Sequence, residues 1–140
     1  MNKQRVIACV IFAALLVGTL PCVAAAATGP TDLKGVSAGQ FKMMLDQRRG
    51  DPDLVLLDIR TPAEFDAGHI EGAVLLDYYA RDFVDRLKQL DREKTYLIYC
   101  RSGNRSGKSL AIFQKLGFHH AYHLETGILG WVQERLPLVH

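Results

Sequence analysis

The chain has 140 residues, 49% of them hydrophobic and 23% charged, with a formal net charge of +2. Without residues 1–27, which hold two cations and no acids, Lys+Arg falls from 17 to 15 and equals the 15 Asp+Glu. A chain of balanced charge gives no reason to expect binding to nucleic acid or to an anionic membrane surface. The remaining part, about 110 residues long, has the size of one domain and can form one core.

The first 27 residues have the pattern of an export signal. Lys3 and Arg5 precede an uninterrupted apolar run over residues 6–17, and small residues ending in four alanines follow. A basic start, a short apolar stretch and an A-x-A ending are typical of a secretory signal peptide. We therefore expect residues 1–27 to be cleaved and residues 28–140 to be exported as a single domain, to the periplasm or an equivalent space. Such signals are typical of bacterial chains.

Two membrane attachments are alternatives to cleavage. The apolar run is shorter than the roughly 20 residues that a spanning helix needs. Continued through the alanines, it could still act as an uncleaved anchor, which is the only membrane contact we expect. A lipid anchor at Cys22 is disfavoured because Pro21 occupies a position where lipoprotein signals require a small residue.

The rest of the chain alternates between strand and helix patterns. A helix is predicted from Ser37, which can cap it, with Phe41, Met44 and Leu45 on its apolar face. Thr61 and Glu64 form the pattern of a capping box for a short second helix. The strands are predicted over residues 54–59, 73–76, 95–100 and 120–125, and the later helices over residues 81–90, 106–117 and 127–136.

This alternation predicts an α/β fold, because crossover connections produce a mostly parallel sheet with helices on both faces. The active site of such a sheet lies at the carboxyl ends of its strands. Asp58 and Cys100 both lie at such ends.

The strongest functional signal is the segment "YCRSGNRSGKSL", residues 99–110, in which Cys100 ends a strand and a helix follows shortly after. A tight loop there would point successive backbone N–H groups at the sulfur and add the positive end of the helix. These surroundings lower a thiol pKa from about 8.5 and favour a nucleophilic thiolate. A cysteine that only fills the core is the alternative. After export, Cys100 would be the one remaining cysteine, so we expect no internal disulfide.

The segment resembles the active-site loop of the rhodanese (thiosulfate sulfurtransferase) family, whose pattern is Cys-Arg-x-Gly-x-Arg or Ser/Thr. The segment "LLDIRTPAEFDAGHIEGA", residues 56–73, is similar to the upstream signature of that family. The segment "GILGW", residues 127–131, resembles the downstream Gly-Gly-x-x-x-Trp motif, although Thr126 stands where the first glycine is usual. The resemblance covers the whole exported chain and implies a rhodanese-like central five-stranded sheet, mostly parallel.

The resemblance implies a thiosulfate:cyanide sulfurtransferase. Cys100 would take a sulfane sulfur from thiosulfate, become a persulfide, and pass the sulfur to a thiophilic acceptor such as cyanide. Neither a metal nor an organic cofactor is required. A thiolate attack and a sulfite leaving group stabilised by N–H groups and arginines agree with this chemistry. The expected substrate-binding residues are those of the loop: Arg101, Ser102, Gly103, Asn104, Arg105 and Ser106.

Loop length argues against a cysteine phosphatase. Those enzymes use a Cys-x5-Arg loop, which is wide enough for phosphate. The position that would require arginine here is Ser106, and the arginine comes one residue earlier, at Arg105. The shorter loop suits a single sulfur atom better.

The other polar candidates have structural alternatives. Asp58 and Arg60 could brace the loop or form only a structural ion pair, and Asp58 as a proton-transfer base is a weaker option. Glu64 is better explained by the capping box than by catalysis, and His69 by a hydrogen bond to the backbone.

His119, His120 and His123 are expected to be surface or loop residues and not metal ligands, because they do not share one face of the strand and no second cysteine would complete a zinc set. Phe41 and Trp131 are expected in the core.

Two other functions remain open at this point. A sulfur carrier would hold a persulfide on Cys100 for a partner protein and would turn over free thiosulfate poorly. The pair Arg101 and Arg105 favours the enzyme, because a carrier does not need two cations to attract an anion; Arg105→Ala is expected to raise the thiosulfate KM severalfold. A redox-sensing thiol is a third possibility, because the same loop exposes a low-pKa thiol to oxidation. A monomer is the default expectation.

Overall fold

The computed structural model describes residues 30–140, so the expected signal peptide lies outside the described residues. These residues form five strands and five helices in alternation. The strands are β1 (Asp32–Val36), β2 (Leu54–Asp58), β3 (Val74–Leu75), β4 (Thr95–Tyr99) and β5 (His120–Leu124), and the helices are α1 (Ala38–Gln47), α2 (Pro62–Asp66), α3 (Phe83–Lys88), α4 (Asn104–Lys115) and α5 (Gly127–Gln133).

All strand pairs in the sheet are parallel, in the order β1-β5-β4-β2-β3. The predicted α/β fold with a five-stranded sheet is therefore confirmed, and the sheet is wholly parallel. The central strand β4 is buried along its entire length, as its continuous apolar sequence predicts. Since β2 and β4 end together, with Asp58 paired to Tyr99, the residues that follow these strands lie at the same edge of the sheet.

Helices cover both faces of the sheet and enclose two clusters of buried residues. One face holds Phe83 and Leu87 of α3 with Phe113 of α4. The other face holds Phe41 of α1 and Trp131 of α5, whose rings meet edge to face with centroids 6.3 Å apart. Phe41 and Trp131 are 0% and 2% exposed, which confirms their assignment to the core.

The capping residues identified in the sequence do begin their helices. The Ser37 hydroxyl accepts a hydrogen bond from the backbone N–H of Gln40, and the Gln40 side chain accepts from the N–H of Ser37. Thr61 and Glu64 form the same reciprocal pair at α2. A cap of this kind stabilises its helix by about 1 kcal/mol and so favours a helix that begins at that residue, next to the sheet edge.

The edge strand β1 was not located by the sequence patterns. Its sequence DLKGV contains two separated apolar residues and an internal glycine, so it has neither the alternation nor the apolar run of a strand. It forms because β5 offers an open edge, on which Asp32 to Val36 pair with His120 to Leu124. Within residues 30–140, no helix has both the length and the apolar character needed to cross a membrane.

Candidate active site

Cys100 follows the last residue of β4, and its thiol lies at the N-terminal end of α4. The sulfur accepts hydrogen bonds from the backbone N–H of Gly103 at 3.2 Å and of Ser106 at 3.5 Å. The Ser106 hydroxyl lies 3.5 Å from the same sulfur. Cys100 is 1% exposed, but these polar contacts distinguish it from a cysteine that only fills the core. Backbone donors around one sulfur form a site that stabilises negative charge on that atom.

The turn at Gly103 makes this arrangement possible. Gly103 has φ +88, in the left-handed region that favours glycine, and α4 begins at the next residue. A side chain at Gly103 would also overlap the backbone carbonyl of Glu125. Both the backbone conformation and the lack of space therefore require glycine here, and the sharp turn directs the N–H groups of Gly103 and Ser106 at the sulfur.

The start of α5 closes the loop from the other side. The N–H of Ile128 donates to the Cys100 carbonyl at 2.8 Å, and Gly127, at φ +60, would overlap the Arg101 carbonyl if it carried a side chain. Thr126 has φ −91, which any residue adopts. The departure from the usual glycine at Thr126 therefore leaves the backbone of the turn unstrained.

Two opposing effects act on the pKa of the Cys100 thiol. Burial raises it, whereas hydrogen bonds from the Ser106 hydroxyl and from the backbone N–H groups of Ser106, Ser102 and Gly103 lower it. The hydrogen bonds outweigh burial, so the pKa lies below the ordinary value for cysteine. The loop thus favours a thiolate, as its sequence predicts.

Arg105 points to α2 and pairs with Glu64. Its two guanidinium nitrogens donate to the two carboxylate oxygens at 2.9 and 2.8 Å, a bidentate ion pair. The Arg105 hydrogen bond is the largest cause that lowers the pKa of Glu64 from 4.5 to about 2. The Tyr79 ring, which is 68% exposed, lies 5.5 Å from the Arg105 guanidinium carbon. Glu64 therefore caps α2, as expected, and also neutralises an arginine of the loop, which the sequence patterns did not indicate.

The remaining loop side chains are exposed. Arg101, Ser102 and Asn104 all face solvent. The Arg101 side chain makes none of the ion pairs or hydrogen bonds found within the described range. Arg101 is therefore the cation of the loop that stays available to an incoming anion.

Asp58 and Arg60 form a buried ion pair beside the loop. The side chains are 0% and 6% exposed, and the Asp58 carboxylate accepts from the Arg60 backbone N–H, Nε and Nη2. Arg60 Nη2 also donates to the Gly68 carbonyl at 2.8 Å, which fixes the chain after α2. Neither side chain bonds to Cys100. The contact of the pair with the site is indirect, through the Gly68 carbonyl that follows α2.

The histidines differ in their surroundings. His69 Nδ1 lies 3.2 Å from the Phe65 carbonyl, which confirms a backbone-bonded structural histidine. His123 lies within β5, where a strand was predicted. The expectation of a surface or loop position was nevertheless wrong for it, because it is half-buried and places Nδ1 3.2 Å from the Ser106 hydroxyl. A period-two pattern shows which face a strand residue takes but not that this face meets the loop helix. No group of three His, Cys, Asp or Glu residues within positions 30–140 is arranged to hold a metal ion.

Comparisons with known proteins agree with this geometry. Residues 42–134 match the family described as "Rhodanese-like domain". The structure superposes on that of a rhodanese-related protein from Thermoplasma volcanium with a TM-score of 0.65 and 25% sequence identity, over 76% of this chain and 97% of that one.

Curated relatives include proteins named as sulfurtransferases. A protein named "Sulfurtransferase" from Allochromatium vinosum is 36% identical over 96 residues, which cover 68% of this chain and 88% of the relative. A "Probable adenylyltransferase/sulfurtransferase MoeZ" from Mycobacterium tuberculosis is 35% identical over 114 residues, 81% of this chain. This chain spans only 27% of the length of that mycobacterial protein.

Proposed function

The chain belongs to the rhodanese-like domain family, whose relatives support sulfur transfer as its chemistry, and we propose that it moves a sulfane sulfur from thiosulfate to a thiophilic acceptor such as cyanide. The observation that carries the proposal is the set of donors around Cys100. The Cys100 sulfur accepts hydrogen bonds from two backbone N–H groups and contacts a hydroxyl, so it is stabilised as a thiolate. The same donors can stabilise the negative charge on the outer sulfur of a persulfide.

The proposed reaction has two displacements at sulfur. The Cys100 thiolate attacks the outer sulfur of thiosulfate, a new S–S bond forms, and sulfite leaves with the electron pair of the old one. The acceptor then attacks the outer sulfur of the persulfide, and the Cys100 thiolate is the leaving group. Because Cys100 is 1% exposed, the donor must present its terminal sulfur end-on. Thiosulfate can meet this requirement, because its outer sulfur is a terminal atom of the tetrahedral anion.

We further propose that this reaction takes place after export, in the periplasm or an equivalent space, with residues 1–27 removed. The basic start and apolar run of that segment are the basis for this part of the proposal. The protein would act as a monomer, without a metal or an organic cofactor, on a small-molecule donor and acceptor.

The intact mass of the mature protein tests the donor assignment. We expect treatment with thiosulfate to add one sulfur atom and subsequent cyanide to remove it. The mass of the untreated protein also identifies the cleavage site of the signal peptide, which is expected after Ala25 or Ala27. No added sulfur while the thiol can still be alkylated would exclude thiosulfate as the donor.

A persulfide carrier is the second candidate, and the Arg105–Glu64 pair is the observation that favours it. Because the carboxylate neutralises Arg105, the loop keeps one uncommitted cation, Arg101, and not two. A carrier would gain sulfur from a protein persulfide but little from free thiosulfate. Loading the protein with each donor, followed by mass measurement, distinguishes the two functions.

The two loop arginines should differ in how they affect thiosulfate binding. We expect Arg101→Ala to raise the thiosulfate KM about fivefold, since one exposed charge contact is worth about 1 kcal/mol in water. Added salt should shrink this difference by screening. Arg105→Ala should raise KM severalfold for a different reason, because it leaves the Glu64 carboxylate unpaired near the loop. Steady-state kinetics at two ionic strengths measure both effects.

Matched variants distinguish the loss of the Arg105 charge from the effect of an unpaired Glu64 carboxylate. Arg105→Ala combined with Glu64→Gln removes both charges, so its KM should return towards the wild-type value. Lys115→Ala removes an exposed cation at the far end of α4 and should leave KM unchanged. An Arg101→Ala variant with wild-type KM at low salt would refute the role assigned to Arg101.

A further inference from the structure

His123 is connected to the reactive thiol through one serine hydroxyl. Ser106 is fully buried, and its Oγ lies 3.5 Å from Cys100 Sγ and 3.2 Å from His123 Nδ1. The Ser106 hydroxyl can also donate its single proton to the Gly103 carbonyl, 3.2 Å away, so this carbonyl and His123 Nδ1 are alternative acceptors of that proton. The cysteine, serine and histidine therefore form a continuous line of groups that can exchange protons.

The position of the His123 ring depends on tight packing between β5 and α4. A Cβ at Gly107 would lie 3.2 Å from His123 Cε1, closer than most side-chain contacts, so a larger residue there would press on the ring. The neighbours of His123 in the sheet, Gly35 on β1 and Ile98 on β4, carry no charge. The ring is therefore held beside the first turn of α4 in largely uncharged surroundings.

These surroundings keep the imidazole neutral near neutral pH. Burial lowers the pKa of His123 below its ordinary value, and the charge of Glu125 opposes this effect without reversing it. A neutral imidazole whose Nδ1 faces a hydroxyl can accept that hydroxyl's proton. The ring is thus in the protonation state that a base requires.

Deprotonation of the Cys100 thiol requires a group that takes up its proton. Cys100 is 1% exposed, and the backbone N–H groups at its sulfur can stabilise an anion but cannot take up a proton. The Ser106 hydroxyl is the one proton-exchanging side chain bonded to that sulfur within residues 30–140. A proton that leaves the thiol through the protein therefore passes to Ser106.

We propose that His123 is the proton acceptor for the Cys100 thiol, acting through the Ser106 hydroxyl. The S–H bond of Cys100 breaks as its proton joins Ser106 Oγ, and the hydroxyl proton of Ser106 forms an N–H bond at His123 Nδ1. The products are a thiolate and an imidazolium, with no change in the number of protons. The hydrogen bonds then reverse, so that Nδ1 donates to Ser106 and Ser106 donates to the thiolate. The inference rests on sulfur transfer at Cys100 and adds a positioning residue that makes the thiolate.

The rate of thiol alkylation by iodoacetamide as a function of pH tests the proposal without any sulfur donor. In His123→Asn the amide can still bond to Ser106 but cannot hold the proton, so the thiol should titrate at a higher pKa. We expect the alkylation rate at about pH 6, relative to its plateau at high pH, to fall about tenfold, which corresponds to a rise of about one pKa unit. His120→Asn on the same strand is the matched control and should leave the profile unchanged. Superimposable profiles for His123→Asn and the wild type would overturn the proposal.

A second measurement does not depend on the stability of the His123 variant. NMR titration of the His123 ring should give a higher pKa in the wild type than in Cys100→Ser, because the serine variant has no thiolate to stabilise the imidazolium. Identical titrations in the two proteins would contradict the link. A shifted alkylation profile in a protein that gains no sulfur from thiosulfate would uphold the histidine's role while rejecting the donor, so the two failures are distinguishable.

Discussion

Replacement of Cys100 by serine is expected to abolish sulfur transfer. Serine is close to cysteine in shape, but its hydroxyl is not ionised near neutral pH and cannot form a persulfide. The rate of thiocyanate formation from thiosulfate and cyanide should fall at least about a thousandfold, as happens when covalent enzymes lose their nucleophile. The intact mass of Cys100→Ser should not change on treatment with thiosulfate.

Folding of the Cys100→Ser variant must be measured beside its activity, because Cys100 is buried in the core that includes Ile98 and Phe113. Circular dichroism and the fluorescence of Trp131 should match those of the wild type. A folded serine variant that still transfers sulfur at the wild-type rate would remove Cys100 from the mechanism and leave the loop without its assigned role.

Loss of one partner of the buried ion pair should cause the largest change in stability. Asp58→Ala leaves the Arg60 guanidinium without its carboxylate at a position where the side chain is 6% exposed. The free energy of unfolding is expected to fall by about 3–5 kcal/mol, the usual result of leaving a buried charge unpaired. Urea denaturation, followed by the fluorescence of Trp131, measures this loss.

A surface pair and a double variant provide the controls. Lys88 and Asp85 form an exposed pair on α3, so Asp85→Ala should cost less than about 1 kcal/mol. Asp58→Leu combined with Arg60→Met removes both buried charges and should recover much of the stability. If Asp58→Ala were no less stable than Asp85→Ala, the buried pair would not make the contribution to stability assigned to it.

The double variant also separates the two roles considered for Asp58 and Arg60. A purely structural pair predicts that a stable apolar replacement keeps its sulfur-transfer rate. A pair that holds α2 through the Gly68 carbonyl predicts a raised thiosulfate KM, because Glu64 and Arg105 would lose their alignment. If the KM rises, kcat should change less, since neither side chain contacts the reacting sulfur.

The sequence by itself determined the features that depend on residues close together in the chain. Thr61 and Glu64 lie three residues apart and form their capping box within one helical turn. The buried strand β4 is recognisable from its continuous apolar run. The donors to the Cys100 sulfur are likewise local, because the turn at Gly103 and the helix that follows it direct N–H groups at that atom. These interactions join residues that are close in the chain, so the spacing of residue types in the sequence predicts them.

Only the tertiary structure decided which distant residues join that loop. Glu64 meets Arg105 across 41 residues, and His123 meets Ser106 across 17. The edge strand β1 exists because β5 has a free side to pair with, a property of the assembled sheet and not of the segment DLKGV. Such contacts depend on which strands are neighbours and on which face of the sheet each helix lies. No spacing within one segment records that arrangement, so one arginine's partner and the proposed base for the thiol became visible only in the folded protein.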